Sequence, residues 1–600
     1  MRLSRTGAGS VAVGLLLAAA ISAAGGAQAA TVTPSAAPVT HEENPRVPVG
    51  AAWTEAYFPS SDGSGVELHA DVLRPAHLPA GAKTPVIVSV GPYFSHVGQT
   101  EPEGWERTGP SARFQDFVDG ARLMARGYTY VMVDLRGFGG STGCLDWLGR
   151  GEQADVKAAV EWAAGQPWST GKVGMYGKSY DAMTGLAGNN LRPAGLKAVV
   201  AQEPVWDLYN YMFSNRLPRF TVTATPQAYN EIATMPTLAD DSDRYKANAA
   251  YEQSHPQCLS DNLTNTNNPD PDSEYWKARN LAAQAAGSST PLLVTQGFIE
   301  PNTKPEDMDE YLANHRGVER GWLGQWPHVR GNDTDAEGRL QMGRAGWFDE
   351  VMRFYDQYLL GTAPSVIDPP FVVEDNLGHW RRQKTWPVAT AAYTARLSSG
   401  RYVDDGGGAA GTKAARPGRW DMEHAPPLKA LSATGERAAQ GRQAADNSLW
   451  TWSTPASQAV RLTATPSISL TASKAGNVMV RLWDLAPDGR ATMFDENVAL
   501  IERSGTLSFD LKSTDWTFER GHRLGVQIGT LIEADESDWL DEPSGDAIAV
   551  SGARLSLSTL DPRLDVPTQG DRSPYLDEYL QANTVTLGDV GPGTFPLRAS

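Results

Sequence analysis

The chain has 600 residues, 41% of them hydrophobic and 9% aromatic, with a formal net charge of -18. It is too long for one ordinary domain and rich enough in apolar residues to build large cores. The negative charge is spread along the chain, which argues against a nucleic-acid partner and against an anionic membrane surface.

Arg2 and Arg5 precede an apolar run over 11–21, and Ala27-Gln28-Ala29 forms a small-residue cleavage site. Residues 1–29 therefore read as an export signal, and the mature protein is expected to be secreted and extracellular. The apolar run is too short to span a membrane, no other stretch is long enough, and no cysteine follows to carry a lipid anchor. The two cysteines, Cys144 and Cys258, are far apart in sequence. A secreted setting permits a bond between them, and the fold must decide whether they meet.

Two antiparallel strands are expected over 51–58 and 66–73, with turn residues over 60–65. A continuous apolar strand over 84–90 has the character of one buried on both faces, and it ends at Gly91-Pro92-Tyr93. A helix over 114–126, a strand over 128–134 and an amphipathic helix over 153–164 follow. Val173-Gly174-Met175-Tyr176 reads as a short buried strand, Gly177-Lys178-Ser179-Tyr180 as a sharp turn, and Asp181 begins a helix. The next strand falls at 196–201. This alternation implies a parallel sheet with helices on both faces. A serine on a tight strand-to-helix turn is the nucleophile elbow of an α/β-hydrolase fold, although Asp181 stands where the simple pattern has its last glycine.

From 203 to 286 the alternation stops, and the stretch reads as a helical cap insertion with a helix near 243–253. The oxygen-rich segment 265–274 matches no calcium-loop spacing and reads as a solvated loop. Strands over 291–296 and 321–323 and helices over 305–314 and 346–360 resume the core. Residues 406–418 read as a linker. Short alternating strands at 460–464, 477–485, 506–511, 522–528 and 547–557 then imply a β-sandwich. The expected organisation is a catalytic domain over 45–390, interrupted by the cap, and a C-terminal sandwich over 391–600.

A serine hydroxyl needs a base, normally a histidine oriented by a carboxylate. In α/β-hydrolases the chain order is serine, acid, histidine. Glu300 is the first carboxylate past the strand at 291–296, ahead of Asp307 and Asp309 on the following helix. His328 lies just past the last core strand, whereas His315 sits at a helix end. The Tyr180 amide and the Tyr93 hydroxyl are candidate oxyanion donors. No metal, nucleotide or flavin signature is legible, so no cofactor is expected.

Several segments in combination resemble a known family. They are Gly91-Pro92-Tyr93, the run from Asp134 to Ser141 (DLRGFGGS), Gln166-Pro167-Trp168-Ser169 and Gly177-Lys178-Ser179-Tyr180. Together they look like the X-prolyl dipeptidyl-peptidase family S15 and its relatives, the cocaine-esterase-type acyl esterases. Lys178 and Asn302-Thr303-Lys304 lean to the peptidase side, and Asp515-Trp516-Thr517-Phe518 with Gly521-His522-Arg523-Leu524 resembles that family's C-terminal jelly roll. The resemblance implies Ser179 as nucleophile, His328 as base, and Tyr93 with the Tyr180 amide at the oxyanion. Two departures stand out: the family usually has aspartate where Glu300 stands and glycine where Ala182 stands.

The expected activity is removal of an N-terminal Xaa-Pro dipeptide through an acyl-enzyme. Glu203 and Asp207 are candidates to bind the substrate's ammonium group. A second expectation keeps the triad on an ester or amide substrate, and a third is a catalytically silent protein binding carbohydrate or cell wall. Oligomeric state is not legible.

Overall fold

The computed structural model describes residues 37–79, 81–98, 105–406, 447–531, 539–540 and 542–599. The export signal expected over 1–29 and most of the linker expected over 406–418 lie outside them. Among the described residues no helix is long and apolar enough to cross a membrane.

A 12-stranded sheet organises the N-terminal two-thirds of the chain. Ala51–Pro59 and Glu67–Pro75 form an antiparallel edge hairpin, and the second strand pairs antiparallel with Thr129–Asp134. From there the sheet runs parallel through Thr84–Gly91, Ser169–Lys178, Leu196–Gln202, Leu292–Gly297, Glu319–Gly324 and Phe371–Glu374. Its central strands are apolar on both faces. Val86, Val88 and Val90 pack with the helices Arg150–Gly165 and Tyr180–Leu191. Ile87, Tyr130 and Met132 pack on the other side with Phe117, Val351 and Phe354. Helices on both faces follow from that two-sided burial.

The strand order reverses between Thr84–Gly91 and Ser169–Lys178. The chain first steps outward to Thr129–Asp134 and then crosses back. In open parallel sheets, ligands bind outside the carboxyl ends of strands at such a reversal. Gly91-Pro92-Tyr93 and the Ser179 turn leave the sheet at that place.

The helical insertion runs from Leu208–Met212 to Leu281–Gln284. A disulfide joins Cys144, in the loop after Thr129–Asp134, to Cys258 on its helix Gln257–Thr266. The pairing that the sequence left open is therefore made, and it ties the insertion to the sheet. The patch expected at 243–253 forms two short helices, Asp243–Ala249 and Tyr251–Ser254.

Two further sheets face each other over one apolar core. One contains Val460–Ala472 and Ala547–Leu560, the other Gly476–Leu485 and Arg523–Gly529. Leu462, Leu470 and Leu555 of the first meet Val480, Leu482 and Val526 of the second. The chain thus has an α/β-hydrolase fold with a sheet-rich C-terminal part. Val566–Pro567, deep in the segment expected to stay with the sandwich, returns instead to the edge of the large sheet beside Trp380–Gln383.

Other differences from expectation have local causes. The helix expected over 114–126 is only Gln115–Gly120, because Arg122 adopts a left-handed φ of 53°. The strand expected over 460–464 continues to Ala472, through a register shift beside Ala464 at φ 69°. A bulge inserts an unpaired residue without ending the strand, so Pro466 did not mark a boundary. The long strand Arg490–Ile501, unread in the sequence, pairs with Gly476–Leu485.

Candidate active site

Strand Ser169–Lys178 delivers Ser179 to the end of the sheet, and helix Tyr180–Leu191 starts immediately after it. Ser179 has φ 61° and ψ -123°, a region that only glycine visits freely. Its N–H donates to the Gln202 carbonyl at 2.9 Å, which locks the turn to the neighbouring strand. Gly177 is required here, since a Cβ on it would lie 2.2 Å from the Asp181 carbonyl oxygen. Asp181 fits because its neighbour is also a glycine. A Cβ on Gly91 would overlap its carboxylate, and the buried Arg113 guanidinium pairs with that carboxylate. Arg113 also lies over the Tyr93 ring at 3.9 Å. The residue that breaks the simple elbow pattern is thus tied through Arg113 to Tyr93.

Two adjacent strand ends bring together the residues expected as acid and base. Glu300 follows Leu292–Gly297, and His328 follows Glu319–Gly324. Glu300 Oε2 lies 2.9 Å from His328 Nδ1. Its other oxygen accepts the Asn302 and Thr303 amides at 2.6 and 3.2 Å. The loop therefore wraps its own carboxylate, which accommodates the methylene by which glutamate exceeds aspartate. Thr303 Oγ1 sits 3.2 Å from Nδ1 and donates to the Glu203 carbonyl at 3.0 Å. The competitors point elsewhere. Asp307 accepts from Asn210, Asp309 from Trp386, Thr465 and Ser513, and His315 pairs with Glu319.

The Tyr180 amide belongs to the first residue of its helix, so it has no intrahelical acceptor. The Tyr180 hydroxyl donates to Glu152 at 2.6 Å, and burial together with the charge of Asp146 pushes Glu152 up to about 7. Tyr93 is buried, and its hydroxyl bonds to that of Tyr229 from the insertion helix Thr221–Ala233. Beside Ser179 lies a small pocket, lined by Trp147, Tyr180, Met183, Tyr229, Asn302 and Thr303 among others.

Glu203 and Asp207, expected to hold a substrate amine, do not line this cavity. Glu203 is fully buried at φ 46°, where it accepts from Thr295 Oγ1, Gln296 Nε2, the Gly297 amide and Trp326 Nε1. Burial, then the nearby charge of Glu300, raises it to about 8. It braces the strand ends that carry the acid and the histidine. Asp207 caps helix Leu208–Met212 through the Tyr209 amide and accepts from Asn280, and burial raises it to about 7. Both expectations are corrected for the same reason: a carboxylate just past a strand end can turn inward to satisfy backbone and indole donors.

The sequence did not single out Tyr229, Trp147 or Arg113. Tyr229 lies in the insertion, where no periodicity marks it. Asn302 and Thr303 were visible as part of the run after the acid.

Residues 62–330 match the family model described as X-Pro dipeptidyl-peptidase (S15 family). Residues 366–531 match the model of the X-Pro dipeptidyl-peptidase C-terminal non-catalytic domain. Both matches point to the S15 and cocaine-esterase-type hydrolases, which the chain resembles along most of its length. Among its relatives is a Streptomyces avermitilis protein provisionally named as an Xaa-Pro dipeptidyl-peptidase, 24% identical over 89% of this chain and 85% of that one. The cocaine esterase of a Rhodococcus species is also 24% identical, over 78% of this chain and 88% of its own length. The solved structure of an aminopeptidase from a marine-sediment Thaumarchaeota archaeon shares the fold. Its TM-score is 0.58 at 18% identity, covering 84% of this chain and 94% of that one.

Proposed function

We propose that this S15-type hydrolase is a secreted serine enzyme that releases Xaa-Pro dipeptides from free N-termini. One observation carries the reading: the strained Ser179 turn and the bonded Glu300–His328 pair stand on strand ends of the same parallel run, beside an aromatic cavity. Ser179 Oγ attacks the carbonyl carbon after proline. His328 takes the hydroxyl proton at Nε2 and returns it to the leaving amine, while Glu300 holds Nδ1–H and stabilises the imidazolium. Water then hydrolyses the acyl-enzyme by the same exchange. The Tyr180 amide and the Tyr93 hydroxyl donate to the oxyanion, and Tyr229 can donate to Tyr93 as Tyr93 turns its proton inward.

The lining suits a compact ring, since Trp147, Tyr180, Leu208, Tyr211 and Tyr229 surround the space beside Ser179. The names of the relatives support the peptidase reading. Secretion is supported by the signal pattern over 1–29 and by the Cys144–Cys258 disulfide, which suits an oxidising compartment. The facing C-terminal sheets are read as a jelly roll that supports the acid loop, because Asn497 bonds to Glu306 at 3.2 Å.

A specific observation favours a second reading. Among the described residues lining the cavity none is a carboxylate, so a neutral acyl ester or amide would also be accommodated. A paired assay on the purified protein separates the two. One arm compares a Gly-Pro anilide bearing a free amine with its N-acetylated form, and the other uses an aryl ester, with Ser179→Ala as control. Cleavage of the free-amine anilide alone supports the dipeptidyl-peptidase. Turnover of the ester alone moves the reading to an esterase. Activity that survives Ser179→Ala overturns the serine mechanism.

A further inference from the structure

The edge hairpin holds a polar cluster that the hydrolytic site does not use. Its register places Glu55 directly opposite Asp71. Like charges facing each other across an antiparallel pair repel, so such a pair calls for a cation between or beside them. Among the described residues no lysine or arginine forms an ion pair with either. Two buried imidazoles reach them instead. His69 stands two residues before Asp71 on the same face, and His96 descends from the loop after Thr84–Gly91. Each is 1% exposed.

Both rings are oriented from behind. His69 Nδ1 lies 2.8 Å from Asp134 Oδ2, and His96 Nδ1 lies 2.8 Å from Asp241 Oδ1. Thr108 Oγ1 also approaches His96 Nδ1, at 2.9 Å. A carboxylate on one ring nitrogen fixes the tautomer and aims the other nitrogen's lone pair, as in carboxylate–histidine–metal triads. The aimed atoms converge. His69 Nε2 lies 3.3 Å from Glu55 Oε1 and 4.0 Å from Asp71 Oδ1, and His96 Nε2 lies 3.5 Å from Asp71 Oδ1. His69 Nε2, His96 Nε2 and Glu55 Oε1 are all buried and make no hydrogen bond, whereas the Asp71 oxygen nearest the rings, Oδ1, accepts from Trp53 Nε1 at 2.7 Å. Ligand atoms of Glu55, His69 and His96 fall within 4.8 Å of one another. Tetrahedral zinc with bonds of about 2.0–2.1 Å separates its ligand atoms by roughly 3.3 Å.

We propose that Glu55, His69 and His96, with Asp71 beside them, form a structural site for a divalent transition-metal ion of the zinc type. Two neutral imidazoles and a carboxylate form a three-residue donor set that this ion accepts, with a fourth position left for a water or Asp71. The ion would join three parts of the molecule. Glu55, His69 and Asp71 belong to the edge hairpin, and His96 lies three residues after Tyr93 on the oxyanion loop. Asp241 and Tyr245, which stacks on His96 at 4.1 Å, belong to the helical insertion. Sequence spacing hides such a site, because its ligands come from two strands and a loop and form no short motif.

The rival occupant is a proton on each ring. Asp134 and Glu55 face His69, and Asp241 and Asp71 face His96, so each ring has a carboxylate that could hold a proton on it. A protonated Nε2 would face Glu55 at 3.3 Å on His69 and Asp71 at 3.5 Å on His96, so zinc uptake is the measurement that separates the two occupants.

The test uses the full chain purified without a nickel column or chelator. Metal content is measured by mass spectrometry, and zinc affinity by competition with a chromophoric chelator. We expect about one zinc per chain and a melting temperature that falls with chelator and recovers with zinc. Glu55→Gln, a change at a partly exposed residue, should weaken zinc at least tenfold, and His96→Gln should weaken it further. If His96→Gln does not fold, the Glu55→Gln affinity still decides. A wild-type protein that takes up no zinc and melts alike with and without it overturns the site. So does zinc held equally well by Glu55→Gln, which would place the ion elsewhere.

Discussion

The strand ends around Ser179 and the seam between the large sheet and the C-terminal sheets bury charge in opposite ways. At the seam, carboxylates meet arginines. Arg461 bonds to both oxygens of Asp565 at 2.6 and 2.8 Å and to Asp375 at 2.9 Å, and Arg381 pairs with Asp515. At the strand ends, Glu300 is held by a histidine and two amides, and Glu203 by an indole, an amide, a hydroxyl and a carboxamide. Two residues there, Ser179 and Glu203, sit at positive φ. A guanidinium holds a carboxylate through fixed opposite charge, whereas a neutral donor holds it through hydrogen bonds alone. The seam holds its carboxylates by fixed charge, and the strand ends hold theirs by hydrogen bonds.

Breaking each side should give distinct readouts. Ser179→Ala should lower kcat by on the order of 10⁵–10⁶ on whichever substrate turns over, with the unfolding midpoint nearly unchanged. Glu300→Gln should lower kcat about 10⁴-fold by presenting the wrong histidine tautomer, and Glu300→Asp should recover part of that loss. At the seam, Arg461→Leu strands Asp375 and Asp565 and should cost about 3–5 kcal/mol in denaturant unfolding, with kcat of the folded fraction little altered. A large loss of kcat there, at unchanged stability, would erase the contrast. Tyr93→Phe should lower kcat about 10²-fold without raising KM, as expected of an oxyanion donor that acts only in the transition state.

The smallest effect sharpens the comparison through pH. Glu203 is raised in the folded state from 4.5 to about 8. The unfolded chain releases this proton at the lower value, so ionisation favours unfolding as pH rises through that window. Stability should fall between about pH 4.5 and 8, and Glu203→Gln should flatten that slope. Denaturant midpoints of both proteins across the window check it. A parallel slope in the variant would mean that another group titrates.

The tight Ser179 turn, the parallel core and the strand-end places of Glu300 and His328 were legible because they rest on local signals. Apolar runs of strand length, a glycine two residues before the serine and the first carboxylate past a strand end are written in contiguous sequence. The sequence also carried the family resemblance, through motifs within single loops. The inward turn of Glu203 and Asp207 was not legible, since which way a side chain points past a strand end depends on donors brought from elsewhere, such as Trp326 and Asn280. The fit of Asp181 depends on Gly91 and Arg113, each far from it in the chain. The Cys144–Cys258 bond and the Glu55, His69 and His96 cluster likewise exist only where separate segments meet. Sequence by itself determined what each segment becomes, because propensity, burial pattern and turn chemistry act over a few residues. Tertiary structure alone decided which polar groups face each other, because that depends on strand order and register across the whole sheet.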